Sequence, residues 1–252
     1  MELHAISTIW LRELKRFARS RSRIAGSLIQ PFMWLALLGL GLSASVNIGG
    51  GSYLAYMAPG IIGMSLLFTS IFSGISVIWD KQFGFLKEIL VAPVSRTSVV
   101  LGKVAGSATI SVLTALAVIA AAIALGGIPL SSLTVTAILG MLGFMVLISV
   151  TFVALGLVIA SRLNNMEGFQ VIMTVLVMPL FFLSGALFPL ANAPAWMQVL
   201  ASVDPLAYGV DGIRSVLGGP AHLPLLFDGA ALVVFAVVMI AAASFMFRSM
   251  SA

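Results

Sequence analysis

Apolar residues dominate the chain in long unbroken runs. Polar positions collect in a few short segments between them. A helix needs about 20 apolar residues to cross a bilayer. Six stretches meet that length: residues 24–46, 57–79, 104–125, 133–160, 168–187 and 227–247. The fourth is long enough to tilt or protrude. Ahead of the first run, residues 1–23 show a helical period instead. Leu3, Ile6, Trp10, Leu14 and Phe17 share one face, and Arg12, Lys15, Arg16 and Arg19 share the other. That pattern predicts an amphipathic helix lying in the membrane interface.

Composition sharpens this reading. Of the 252 residues, 61% are hydrophobic and 8% charged, against roughly 25% charged in a soluble domain. Too few charges remain to cover a water-exposed surface, so the chain is an all-α integral membrane protein of one domain. With the N-terminus in the cytoplasm, 12 of the 13 Lys and Arg fall on cytoplasmic segments, and only Arg214 lies outside. The positive-inside rule therefore places both termini in the cytoplasm. It also accounts for the net charge of +5 without a nucleic-acid partner. The chain has no cysteine, which excludes disulfides and thiolate metal sites. Its two histidines, His4 and His222, are far apart in sequence, so neither a metal site nor a catalytic cluster is predicted.

One charged segment interrupts the apolar pattern: WDKQFGFLKEILVAPVSR, from Trp79 to Arg96. As a helix over 80–91 it gathers Phe83, Phe85, Leu86, Ile89 and Leu90 on one side. Asp80, Lys81, Gly84, Lys87 and Glu88 lie on the other, with Gln82 between. Pro93 ends it, having no N–H and a ring that clashes with the preceding turn. Twelve helical residues extend only about 18 Å, too short to cross a bilayer. A short amphipathic helix on the cytoplasmic surface is suited to docking a soluble partner.

Together with APG at Ala58–Gly60 and LGK at Leu101–Lys103, this segment resembles the membrane subunit of ABC type-2 exporters, in the branch of daunorubicin-resistance and Nod-factor permeases. The likeness covers the whole chain. It implies that Asp80, Lys81, Gln82, Phe83, Gly84, Phe85, Leu86, Lys87 and Glu88 form a coupling helix seated on a separate ABC ATPase. It also implies two permeases with two ATPases, a permease seam at spans one and five, and ATP with Mg bound by the ATPase alone; a short permease without a fused ATPase domain is expected in a bacterial or archaeal cell membrane.

Independently of that likeness, no G-x-x-x-x-G-K-[ST] phosphate loop is present, since Thr97 stands where its first Gly belongs and Val104 follows Gly102-Lys103. The span centres lack ionisable residues of the kind that mark proton pathways. The first point means that the chain does not itself bind ATP through such a loop, and the second disfavours the alternative of a secondary carrier; a non-transporting membrane scaffold subunit stays open as an alternative. No catalytic residue or cofactor is expected on this chain.

Residues 187–226 form the longest outer segment, with breaks at Pro194, Asp204-Pro205 and Gly218-Gly219-Pro220. Two short helices within 194–217 are expected, and in the resembled family such a pair partly re-enters the membrane and closes the exit. Trp196, Tyr208, Asp211 and Arg214 are the outer-gate candidates. Asp211 and Arg214, at i and i+3, are expected to form a solvated pair. Met173, Met178, Pro179, Phe181 and Phe182 in span five are candidates for an apolar substrate path, because Met and Phe adapt to varied ligands. Gly140, Gly143, Gly156 and Gly185 suit close helix approach. The expected cargo is an amphipathic drug, lipid or glycolipid.

Overall fold

The computed structural model describes residues 2–48, 51–84, 94–163 and 165–248. Helix α1 covers Glu2–Arg19. Six helices long and apolar enough to cross a membrane follow: α2 Arg21–Ser43, α3 Tyr53–Gln82, α4 Arg96–Ala124, α5 Val135–Arg162, α6 Met166–Leu183 and α9 Leu225–Arg248. Between the last two lie the short helices α7, Ala195–Ala201, and α8, Pro205–Val216. A minimal antiparallel pairing, Asn47 with Ser52 and Ile48 with Gly51, joins α2 to α3.

The helix starts follow local chemistry. Ser52, Ser95, Thr134 and Asn165 each accept a backbone N–H three residues ahead, on Ala55, Ser98, Ala137 and Gly168, and Asp204 accepts one two residues ahead, on Leu206. Each satisfies a donor that the first turn of its helix leaves unpaired. Pro205 at the first position of α8 loses nothing by lacking an N–H. Pro31 inside α2 withholds an N–H from the ladder, and a π-helical turn follows over Trp34–Leu40.

Helix α3 is the centre of the bundle. Met57, Ile61, Ile62, Leu66, Leu67 and Ile71 are fully buried there. Around it stand α4, α5 and α8. Gly156 of α5 approaches the α3 backbone so closely that a Cβ would lie 2.6 Å from the Ile71 carbonyl oxygen. Gly140 meets Val216 in the same manner. The other two glycines differ from expectation. Gly143 faces open space, and Gly185, at φ +71, turns the chain after α6.

Two boundaries correct the sequence reading. Helix α4 begins at Arg96, not at residue 104, so the helix carries Lys103 inside it. The segment from Asp80 does not start a new helix: Asp80, Lys81 and Gln82 are the last turn of α3, and Gly84 at φ +77 departs from helical geometry. The rest of the 80–91 segment, including Phe85, Leu86, Lys87 and Glu88, lies outside the described residues. Helix α1 runs alongside the first part of α4. Glu2 meets Ser95 and Ser98, Ile9 meets Gly102, and Trp10 meets Thr109.

Candidate functional site: a charged junction and two cavities

At the end of the bundle where basic residues cluster, two glycines one turn apart let α1 in. A Cβ on Gly102 would lie 2.8 Å from the Ile9 Cβ, and one on Gly106 would lie 2.9 Å from the Glu13 Cβ. This fit carries the Glu13 carboxylate to Lys103, and the end of α3 brings Asp80 to the same place. Lys103 Nζ lies 2.7 Å from Asp80 Oδ2 and 3.4 Å from Glu13 Oε1. It also donates to Ser76 Oγ at 3.3 Å. Arg12 Nη2 closes the ring, 3.1 Å from Asp80 and 3.2 Å from Glu13. Arg16 stands 3.7 Å from Asp80 and covers the Trp79 ring at 5.0 Å.

Lys103, Asp80 and Glu13 are all buried. Buried charges persist only when paired and hydrogen-bonded, and here each sign faces the other. Burial pushes the Glu13 carboxyl up, but Lys103 and Arg12 outweigh it and hold Glu13 below its ordinary value. Burial likewise lowers Arg12, and Asp80 with Glu13 reverses that to a net rise. At the far end of α1, hydrogen bonds from Ser98 and Ser95 hold the Glu2 carboxyl below its usual range. Both ends of α1 are thus tied to α4.

Next along the chain, Lys81 donates to the carbonyls of Ala160, Ser161 and Leu163 at 3.3, 2.8 and 3.0 Å. These belong to the last turn of α5 and the residue after it, where carbonyls lack helical partners and a cation complements the helix dipole. Phe83, by contrast, is 72% exposed. Of the predicted contact residues described, Asp80 and Lys81 are therefore engaged within the chain, while Phe83 projects from it and Gly84 bends the backbone beyond.

A cavity of about 570 Å³ lies beside this junction, between the end of α1, α2 and α3. Arg16, Arg23 and Trp79 stand at its basic end, and Met64, Ser65 and Phe68 line it farther along α3. None of the five predicted path residues lines it, and from α6 only Met166 does. Phe181 is buried edge-on against Trp34 at 5.5 Å, and Met173 is also buried. Pro179 sits within α6, while Met178 and Phe182 face outward. Packing within one chain consumes part of that set and leaves the rest on its surface.

The opposite end holds a second polar cluster, and it overturns the expected solvated pair. Asp211 and Arg214 are both buried, because α8 packs among α3, α5 and α9. Gly209 and Gly212 allow this, with Ile148 and Phe144 filling the space their side chains would take. Arg214 stacks on Tyr56 at 4.2 Å and donates to the Gly185 carbonyl at 2.9 Å. Its Nη1 is 3.9 Å from Asp211, whose carboxylate accepts the N–H groups of His222 and Leu223. Tyr208 donates to the Ser202 carbonyl at 2.6 Å, and Trp196 is exposed. Asp211, Arg214 and Tyr208 line a cavity of about 440 Å³ there; Trp196 does not.

The model of the ABC-2 type transporter family matches residues 4–217. The chain belongs to the ABC-2 type transporter family. Among curated proteins, the transport permease ycf38 of Porphyra purpurea is 33% identical over 207 residues, 81% of this chain and 70% of that one. Nodulation protein J of Rhizobium leguminosarum bv. trifolii is 28% identical over 234 residues, 91% of this chain and 87% of that one. With six membrane-length helices, this ABC-2 chain is a multi-pass membrane transport permease.

Sequence reasoning missed two features of this ABC-2 permease. The first is the ion network, whose partners Glu13 and Lys103 are 90 residues apart. The second is a polar stripe in the first span. Ser22, Gly26 and Gln30 recur every fourth residue beside Arg23 and Ser27, and all five line the larger cavity. That spacing is the helical signal of one shared face.

Proposed function

We propose that this permease is the membrane subunit of an ATP-driven exporter, with its basic end in the cytoplasm of a bacterial or archaeal cell membrane. The observation that carries the proposal is the charged junction. It fixes the last turn of α3 from two sides, through Asp80 to α1 and α4 and through Lys81 to α5. Immediately beyond it the chain presents Phe83 outward. A segment that receives force from a soluble subunit needs such an anchorage, because a loosely tethered segment would yield without moving the spans.

In this reading an ABC ATPase docks on Phe83 and the residues that follow, with Phe85, Leu86, Lys87 and Glu88 in the contact. Two permeases associate with two ATPases, which bind ATP and Mg. The seam runs along α2 and α6, whose Ile29, Phe32, Leu37, Val171, Val175 and Phe182 are exposed in the single chain. ATP-driven closure of the ATPases moves the two junctions, and the populations of inward- and outward-facing arrangements shift with nucleotide. The helices α7 and α8, with Trp196, Tyr208, Asp211 and Arg214, form the outer gate. The cargo is an amphipathic drug, lipid or glycolipid moved out of the cytoplasm or inner leaflet.

The test is co-purification. The tagged chain is expressed with the ATPase encoded beside it, as wild type and as the triple variant Phe83→Ala, Lys87→Ala, Glu88→Ala. The wild type should retain the ATPase, and the variant should lose it while eluting as a folded protein. A wild type that retains no ATPase removes the main support for the exporter reading.

A further inference from the structure

We propose that the 570 Å³ cavity between α1, α2 and α3 is the binding site for an anionic amphiphile, held by Arg16 and Arg23 at its headgroup end. The inference rests on the exporter reading in one respect, that the occupant is cargo.

The cavity is amphipathic along its length. Its volume lies within the roughly 300–1,000 Å³ of ordinary ligand sites. Trp79 and Met64 mark its extent on α3, 15 residues apart, or about 22 Å at the helical rise. Half of a bilayer's hydrocarbon core is about 15 Å, so an acyl chain reaching inward from the basic interface fits the space. Met64, Phe68 and Phe72 supply apolar wall. Across from them, α2 presents Ser22, Ser27 and Gln30. Ser65 is 2% exposed, and its Oγ has no hydrogen-bond partner among the described residues. A buried hydroxyl left unpaired costs roughly 1–3 kcal/mol.

Charge decides the class of headgroup. Arg23 makes no ion pair with a carboxylate among the described residues, and its guanidinium lies over the Phe17 ring at 5.7 Å. Arg16 shares Asp80 with Arg12 and Lys103 and keeps further N–H donors for a ligand. Among the described residues, no Asp or Glu lines the cavity. Two guanidiniums without a lining carboxylate favour phosphate or carboxylate headgroups and repel cationic amphiphiles.

The test uses the whole chain in phosphatidylcholine nanodiscs. Trp79 is its reporter, with Trp10, Trp34 and Trp196 replaced by Phe. Two probes carry brominated acyl chains, which quench Trp on contact: phosphatidic acid and phosphatidylcholine. Phosphatidic acid should reach half-maximal quenching at a mole fraction at least tenfold lower. Arg16→Gln with Arg23→Gln should abolish the difference. Gly26→Phe should abolish the saturable quenching by either lipid, because Gly26 lines the cavity and has open space where a side chain would project. Should the Trp replacements unfold the chain, native mass spectrometry of otherwise unaltered protein counts retained phosphatidic acid in the same comparisons.

Equal quenching by the two lipids overturns the proposal, as does a preference that survives Gly26→Phe, which would mean lipid around the protein's perimeter. The cargo role is tested with the ATPase present. Phosphatidic acid should stimulate ATP hydrolysis by the wild-type complex and not by the double Arg variant. Binding without stimulation overturns cargo in favour of a resident lipid. None of the binding arms requires the ATPase, so failure of the site and failure of the exporter reading are separately visible.

Discussion

Replacing Lys103 by Met tests whether the charged junction holds the basic end of the fold together. Methionine keeps nearly the length and volume of the lysine stem, so the change removes charge rather than packing. Lys103 is 1% exposed and lies 2.7 Å from Asp80 and 3.4 Å from Glu13. Removing one partner of a buried ion pair costs about 3–5 kcal/mol, because the other charge is left unpaired. Arg12 still contacts both carboxylates, which favours the lower end, about 3 kcal/mol. At roughly 2–4 °C per kcal/mol for a chain of this size, the midpoint of thermal unfolding should fall by about 6–12 °C. The assay is size-exclusion chromatography of detergent-purified protein after heating. A companion variant, Lys103→Met with Asp80→Asn and Glu13→Gln, removes the stranded carboxylates and should recover most of the loss, since neutral replacement of a whole buried ion set is often tolerated. A single variant that melts within about 2 °C of wild type would show the junction to be no stronger than an exposed pair, worth roughly 0.2–1 kcal/mol. A triple variant no better than the single one would refute the electrostatic account.

Three further outcomes follow from the same geometry. Glu13 is held below its ordinary value of 4.5 in the fold, so its contribution is complete above that pH and is lost as pH falls through the lower folded value; melting midpoints across pH 7 to 3 should show an acid loss that Glu13→Gln lacks, and identical acid profiles would refute it. Arg214→Lys keeps the charge but loses planar stacking on Tyr56, which at a desolvated site contributes about 2 kcal/mol; it should lower the midpoint by about 4–8 °C, and an unchanged midpoint would remove the stacking argument. Gly156→Leu drives a side chain into the α3 backbone at Ile71; overpacking of about 1–3 kcal/mol or more should appear as reduced recovery of monodisperse protein, and normal recovery would mean that α3 and α5 can separate.

The spans were legible because hydropathy over twenty residues is a strong signal and a bilayer demands it. The helix starts were legible in kind: Ser95, Thr134, Asn165 and Asp204 are residue types whose side chains satisfy first-turn donors. Charge is a poorer guide to where a helix begins than hydropathy is. Arg96 and Lys103 were placed before the third span, yet Lys103 lies inside α4 because Asp80 and Glu13 neutralise it. The spacing of Asp211 and Arg214 was plain, but their burial was not, since it depends on Gly209 and Gly212 admitting Ile148 and Phe144 from a distant helix. The polar stripe Ser22–Gln30 was legible and went unread, because the run around it is apolar enough to pass as a membrane helix.

The arrangement of the junction bears on how force would reach the spans in the proposed cycle. Lys81 binds the end of α5, and Asp80 binds α4 and α1, so one helical turn of α3 is tied to three other helices. A push arriving through Phe83 and the segment beyond would act on that set together rather than on α3 alone. Helix α3 is also a wall of the larger cavity, while α2, the opposite wall, continues from α1 through Ser20. Motion of α1 with α3 and α4 therefore bears on both walls of the cavity and on Arg16 and Arg23 at its headgroup end. The same ion network that fixes the last turn of α3 would then set how tightly an anionic headgroup is held, linking the proposed nucleotide state to the affinity of the proposed site.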